Sequence, residues 1–478
     1  MNYDAIILGS GPAGFEAARR LAAGGLRTAL VTATPAGGRT TVGSLLPSKV
    51  WLHAAHHQLS GAPSGGTSGS SGTTAARVRE AIASRVRYTE ETLRHAGVEI
   101  ISGTASVTAP GEVSVAAGAG EEPRRLSAPA LVIATGSEPL FTPTVRPDGA
   151  RIIAPRLTKD LPEVPESLLM VGGGITGVEY GEAFALLGSH VTLLSAREIV
   201  PAFYRPYAEL LAEHLRNAGV TIETGDRVAS VESIEDGEPG RRVRARTENG
   251  AEYHADMAFI ATGRAADLTA FSPEAGALLQ RLTDETGRFI PVDGNGRSAV
   301  PGIYACGDAT GPPFTANRAL WQGRQAAATI LGAADSADPA LIEAIFTDPQ
   351  LAQIGHVPHG SSAAGGKAPA GGKAPAGGKA PAGGNAPADG ISPTETPPVQ
   401  EHRRSWESTM LHTIHGGNPG ELTLWTTASG MIRGAAAFGP GAAEILAPVQ
   451  LAINRGISWR DLTAVPFAYP TLSEVITS

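Results

Sequence analysis

Tyr3 to Thr32 read YDAIILGSGPAGFEAARRLAAGGLRTALVT. Ala5 to Leu8 form an apolar run that suits a strand buried on both faces of a parallel sheet. Gly9, Gly11 and Gly14 then spell GxGxxG, followed by a helical pattern and a second apolar strand. In such a turn the first glycine permits the bend. The second lets the backbone approach a pyrophosphate, and the third lets helix pack on strand. The helix N-terminus faces the phosphates. The stretch predicts a dinucleotide-binding unit of strand, turn, helix and strand.

The unit recurs as SLLMVGGGITGVEYGEAFALLGSHVTLLS, Ser167 to Ser195, with Gly172, Gly174 and Gly177 at the turn. Two units in one chain predict an α/β fold that holds two dinucleotides facing each other. Glycine-rich turns without ligands are the alternative. The complete strand–turn–helix context, present twice, favours binding.

At 478 residues the chain is long enough for two to four domains. Its net charge of -8 argues against nucleic acid as a partner. No apolar run is long enough to span a bilayer, and MNYDAIILGSG lacks the basic start and cleavage site of a signal peptide. A soluble cytoplasmic protein is expected. The single cysteine, Cys306, allows no intramolecular disulfide and no cysteine-based metal site. The twelve histidines show no HExxH or similar spacing, so no metal centre is expected. Of 38 lysines and arginines only five are lysine, at positions 49, 159, 367, 373 and 379. Three of these lie in a repeat, which leaves Lys49 conspicuous.

Two low-complexity stretches break the pattern: SGAPSGGTSGSSGTT after the first unit, and GGKAPAGGKAPAGGKAPAGGNAPADG further on. Both lack the apolar residues that offset ordering entropy, so both are expected to be flexible. Beyond the second, ELTLWTTASGMIRGAAAFGPGAAEILAPVQLAINRG reads as strand, turn, strand and amphipathic helix, a separate α+β domain.

Further motifs follow in order: PSK at 47–49, LVIATGSEP at 131–139, MAFIATGR at 257–264, GIYACGDATG at 302–311, FTDPQ at 346–350 and FAYPTLSE at 467–474. Together with the two glycine turns they resemble the pyridine nucleotide-disulfide oxidoreductases, the family of dihydrolipoamide dehydrogenase, glutathione reductase and mercuric reductase. The resemblance covers nearly the whole chain outside the low-complexity stretches. It implies two Rossmann-like dinucleotide-binding domains plus a C-terminal α+β dimerisation domain. By that resemblance residues 1–148 and 267–336 bind FAD, 149–266 bind NAD(P), and 337–478 form a homodimer, with a disordered insertion at about 359–400. FAD would be held by Gly9, Gly11, Gly14, Thr135, Gly136, Gly307, Asp308, Thr315 and Ala316. NADPH or NADH would be held by Gly172, Gly174, Gly177, Ser195, Arg197 and Gly263.

GGRTTVGSLLPSK, Gly37 to Lys49, resembles the family's GGTCLNVGCIPSK, but the two cysteine positions are Thr40 and Leu45. The family's acid/base histidine, in HPTxxE, is Tyr469 here, with Glu474 kept. The two losses are coherent, because that histidine serves thiolates. Lys49 resembles the lysine beside flavin N5, and Glu179 its ion-pair partner. Lys49, Glu179, Tyr469 and Glu474 are therefore the candidate catalytic residues. Thr32 replaces the acid that binds the FAD ribose. Ser195 replaces the acid that selects the NAD ribose, and Arg197 can pair with a 2′-phosphate, so a lean to NADPH is expected; a solvated Arg197 is the alternative. Cys306 reads as a small buried hydrophobe.

These features point to an FAD-dependent NAD(P)H oxidoreductase that hands electrons from flavin directly to a small acceptor such as a quinone. Three other readings stay open: a soluble transhydrogenase, a flavin-dependent tailoring enzyme in a biosynthetic pathway, and a catalytically silent flavoprotein with a binding or regulatory role.

Overall fold

The computed structural model describes residues 2–59, 71–118, 122–333, 338–358, 399–417 and 419–477. The insertion expected at about 359–400 falls almost wholly outside the described residues.

Both glycine turns sit where the apolar patterning puts them. The Ala5–Leu8 strand is wholly buried and pairs in parallel with Thr28–Thr32 on one side and Ala130–Ile133 on the other. Ile303–Ala305 and Glu99–Ser102 complete a five-stranded sheet. Helix α1 (Pro12–Ala23) crosses between the first two strands. In the second unit, Ser167–Val171 pairs in parallel with His190–Ser195 and with Met257–Ile260. In both turns a Cβ on the third glycine, Gly14 or Gly177, would lie 1.9 Å from the carbonyl oxygen of the first. That contact allows only hydrogen, which is why these helices start so close to their strands.

Helix α2 (Leu45–Leu59) carries the PSK motif, and α3 (Ser71–His95) runs beside it. The last four residues of the first low-complexity stretch, 71–74, thus belong to a helix rather than to a flexible linker. Thr74, Ala75 and Val78 are buried, and Val78 packs in one core with Trp51 and Ala55 of α2. Tertiary burial overrides the local composition here. Helix α4 (Ile175–Leu186) follows the second turn and packs on α2, with the Trp51 and Phe184 rings 5.4 Å apart. Helix α5 (Arg205–Asn217) is amphipathic and buries Tyr207, Leu211 and Leu215.

The C-terminal segment forms the expected strand, turn, strand and helix: Glu421–Thr426, Ile432–Gly439 and Ala442–Arg455. The two strands join Gln400–Ser405, Gln350–Gly355 and Glu343–Ile345 in an antiparallel sheet. FTDPQ therefore lies between two strands of this sheet. No helix among the described residues is long and apolar enough to cross a membrane.

Candidate functional site

A cavity of about 960 Å³ opens at the C-terminal ends of the first sheet's strands, where open α/β sheets bind ligands. Its volume sits at the upper end of the range for ligand sites. Gly9 and Gly11 line it, and a Cβ on Gly11 would meet nothing within 4 Å. No side chain caps α1, whose N-terminus opens from Gly11. The amides of that end are thus a ready anion site. Gly14 works from behind, by letting the helix pack. Thr135, Gly136, Gly307 and Asp308 line the far wall, with Thr315 and Ala316 at the start of the next helix. The residues present fit an elongated dinucleotide with its pyrophosphate at α1.

Thr32 also lines the cavity, but its hydroxyl is 2.9 Å from the Ser10 hydroxyl and donates to the Thr34 carbonyl at 2.9 Å. It closes the end of its strand within the protein and supplies no carboxylate for a ribose.

Asp308 stands just past the Ile303–Ala305 strand. Its carboxylate accepts a hydrogen bond from the Ser137 hydroxyl and lies 3.3 Å from the Arg264 guanidinium. Arg264 Nε in turn donates to Ser137 at 2.9 Å. Burial pushes the Arg264 guanidinium down to about 10, partly offset by Asp308. Arg39 pairs with Glu138 on the same wall. Neither Arg39 nor Arg264 was among the expected site residues. Both lie inside quoted motifs, and their signal was a charge beside a glycine-rich turn.

Lys49 and Glu179 do come together. The ammonium is 2.6 Å from each carboxylate oxygen and 4.5 Å from the centre of the Phe346 ring. Glu179 is almost wholly buried and also accepts the Phe346 amide, at 3.0 Å, and the Ser48 hydroxyl, at 3.3 Å. Four acceptances on one carboxylate fix the ammonium between α2, α4 and FTDPQ. One turn earlier on α2, Leu45 lines the cavity, as does Thr40. Cys306 lies at the cavity floor, wholly buried, and burial pushes its thiol up to about 12.

In the second unit Gly172, Gly174 and Gly177 form the turn ahead of α4. Ser195 ends its strand facing that turn, its Oγ 2.6 Å from where a Cβ on Gly173 would stand. Arg197 is exposed, and Gly263 adopts φ 116° just past the Met257–Ile260 strand. Tyr469 is 65% exposed. Glu474 accepts the Thr471 amide at 2.9 Å and the Met410 amide at 3.1 Å. Both its oxygens are thus engaged by backbone, which makes it a fastener of the YPTLSE turn.

One sequence expectation needs correction. His53 and His57 on α2 have the same four-residue spacing as the histidines of HExxH, without the glutamate, and their Nε2 atoms are 3.0 Å apart. The helix brings them together because four residues make about one turn.

Residues 3–323 match the family described as pyridine nucleotide-disulphide oxidoreductase, and 400–478 match its dimerisation domain. The chain belongs to this family. Among curated relatives, dihydrolipoyl dehydrogenase 2 of Haloarcula marismortui is 28% identical, covering 98% of this chain and 94% of its own. The dihydrolipoyl dehydrogenase of Chlamydia muridarum is 30% identical over 99% of this chain and 95% of its own. In fold, the chain is similar to the crystal structure of LpdA from Mycobacterium tuberculosis. There the TM-score is 0.82 at 24% identity, covering 99% of this chain and 98% of that one. The family comprises FAD-binding, NAD(P)-dependent oxidoreductases, so this chain is an oxidoreductase with FAD and a nicotinamide nucleotide as cofactors. Its architecture is the two Rossmann-like units plus the dimerisation domain.

Proposed function

We propose that this oxidoreductase passes electrons from NAD(P)H through its flavin directly to a small acceptor, most simply a quinone, with no disulfide relay. One observation carries the reading. The cavity wall holds Thr40 and Leu45 where a thiol pair would stand by family resemblance, and the single cysteine is wholly buried with its thiol held far above neutrality. Thiol–disulfide exchange needs an accessible thiolate, which this chain cannot offer. Its relatives' names point to dihydrolipoyl substrates; this chain lacks the groups to exchange with a dithiol.

FAD, when bound, supplies the two-electron step between nicotinamide and acceptor. Gly9, Gly11 and the α1 N-terminus would hold its pyrophosphate, and Asp308, oriented by Ser137 and Arg264, its ribitol side. Lys49, positioned by Glu179, presents a fixed positive charge that favours negative charge developing on a reduced ring. Val42 and Leu45 give the cavity an apolar wall suited to a flat acceptor. Gly172, Gly174, Gly177 and Gly263 would cradle the nicotinamide nucleotide, with Ser195 and Arg197 admitting a 2′-phosphate. The balance is NAD(P)H, a proton and quinone giving NAD(P)+ and hydroquinone. Residues 1–148 with 267–336, 149–266 and 337–478 then act as the FAD, NAD(P) and dimer domains.

The test is anaerobic reduction with NADPH, followed by mixing with quinones, lipoamide, a nicotinamide analogue and oxygen. Rapid reoxidation by quinones, with none by lipoamide, is expected. Turnover with lipoamide at the quinone rate would refute the missing relay.

A further inference from the structure

Helix α2 carries a second cluster that the redox chemistry leaves unused. His53 and His57 are both exposed, one turn apart, with Nε2 atoms 3.0 Å apart and ring centroids 4.2 Å apart. A metal ion binds imidazole nitrogen at about 2.0–2.1 Å. Two such nitrogens on one ion lie about 2.9 Å apart at a right angle and about 3.4 Å apart at a tetrahedral one. The observed spacing falls between these values, nearer the tetragonal limit. A single shared proton also fits this spacing, and a metal would displace it.

The surroundings allow a cation. His53 shares a depression of about 270 Å³ with Arg77, Glu80 and Ser84 of α3, so the nearby charges are mixed in sign. No three His, Cys, Asp or Glu side chains among the described residues converge as metal ligands. Two imidazoles one turn apart are what the helix offers. The i, i+4 spacing is the one by which helical histidines share an ion.

We infer that His53 and His57 form a two-histidine chelate for a divalent late first-row transition ion on the outer face of α2. The order of affinity should follow Cu²⁺ above Ni²⁺ and Zn²⁺. The site braces the same helix that carries Leu45 and Lys49, so an ion there stiffens the segment that positions the ammonium.

The experiment is calorimetric titration of the untagged, flavin-loaded protein with NiCl₂ at pH 7.5, paired with electron paramagnetic resonance of the Cu²⁺ form. One Ni²⁺ per chain is expected, with a copper spectrum showing two nitrogen ligands. His53→Gln and His57→Gln should each weaken Ni²⁺ by at least about tenfold and remove one nitrogen from the copper signal. His95→Gln, an exposed histidine at the end of α3, should leave both unchanged. Ni²⁺ binding of undiminished strength in both variants, or none in wild type at millimolar concentration, overturns the site.

Discussion

At the scale of single residues, Lys49 separates structure from chemistry. Its ammonium sits on Glu179, yet Glu179 keeps two other donors, the Phe346 amide and the Ser48 hydroxyl. Lys49→Met should therefore fold, while losing the charge proposed to aid reduction. Removing one such electrostatic contact costs about 2.7–4 kcal/mol of barrier, or about 10² to 10³ in rate. Anaerobic stopped flow with NADPH should show flavin bleaching slowed by that factor. A rate within threefold of wild type would leave Lys49 a structural ion pair only. Lys49 was legible because lysine is so rare in this chain. Thr32 was legible as a loss, but what replaces it was not: its bonds to Ser10 and Thr34 depend on how two loops meet. Arg197 belongs to the same scale. It is exposed at the strand end beyond Ser195, free to reach a 2′-phosphate. Arg197→Ala should raise KM for NADPH about tenfold or more, as loss of a charge-assisted bond worth about 1.5–3 kcal/mol implies, and leave NADH unchanged. Equal effects on the two nucleotides would show that Arg197 does not touch the phosphate.

Between elements, α4 works as a double staple one turn apart. Glu179 holds α2 through Lys49. Glu182, wholly buried, lies 3.3 Å from His56 Nε2 of α2 and 2.7 Å from His214 Nε2 of α5, and accepts the Asp348 amide at 3.1 Å. Burial alone would lower His56, but the Glu182 carboxylate outweighs it and holds His56 above its usual range. Burial alone would raise Glu182; His214, His56 and the Asp348 amide outweigh it and hold the carboxyl below the ordinary range. The His56 contribution is thus full below about pH 6.5 and fades as pH rises through the folded value. The Glu182 contribution is present above the ordinary carboxylate range and fades only in stronger acid. Melting temperature should accordingly fall as pH rises above about 6.5. Glu182→Gln should flatten that slope and cost about 1–3 kcal/mol. A slope unchanged in the variant would place the pH dependence elsewhere. The Glu182 half of the staple was not legible in sequence, because Glu182 and His56 are 126 positions apart. The glycine turns were legible because strand, turn and helix are all local. The start of α3 was not, because its Gly/Ser/Thr composition argues for a linker until the apolar face that follows is seen packed on α2.

For the whole molecule, the proposed direct transfer makes Tyr469 the residue to test. Tyr469 is 65% exposed within the segment that matches the dimerisation domain, and the turn carrying it is pinned by Glu474. Aromatic side chains such as this one are enriched at protein–protein interfaces. On the proposed reading, which follows the family resemblance, it would reach the flavin pocket of the partner subunit, opposite the face where hydride arrives. Mixed dimers test this arrangement directly. Pair a Lys49→Met chain with a Tyr469→Ala chain, isolated by two affinity tags. If Tyr469 serves the partner, the site on the Lys49→Met chain carries both defects, and the site on the Tyr469→Ala chain carries neither. Such a dimer should recover half of the wild-type quinone turnover, although each parental homodimer is impaired at both sites. If Tyr469 serves its own chain, every site in the mixed dimer keeps one defect, and turnover stays at the level of the parents. Flavin reduction by NADPH supplies the internal control. It should be normal in the Tyr469→Ala homodimer, because Lys49 and the nucleotide turns lie within one chain. Slowed bleaching in that homodimer would move Tyr469 to the hydride side and overturn the division of labour between the two faces.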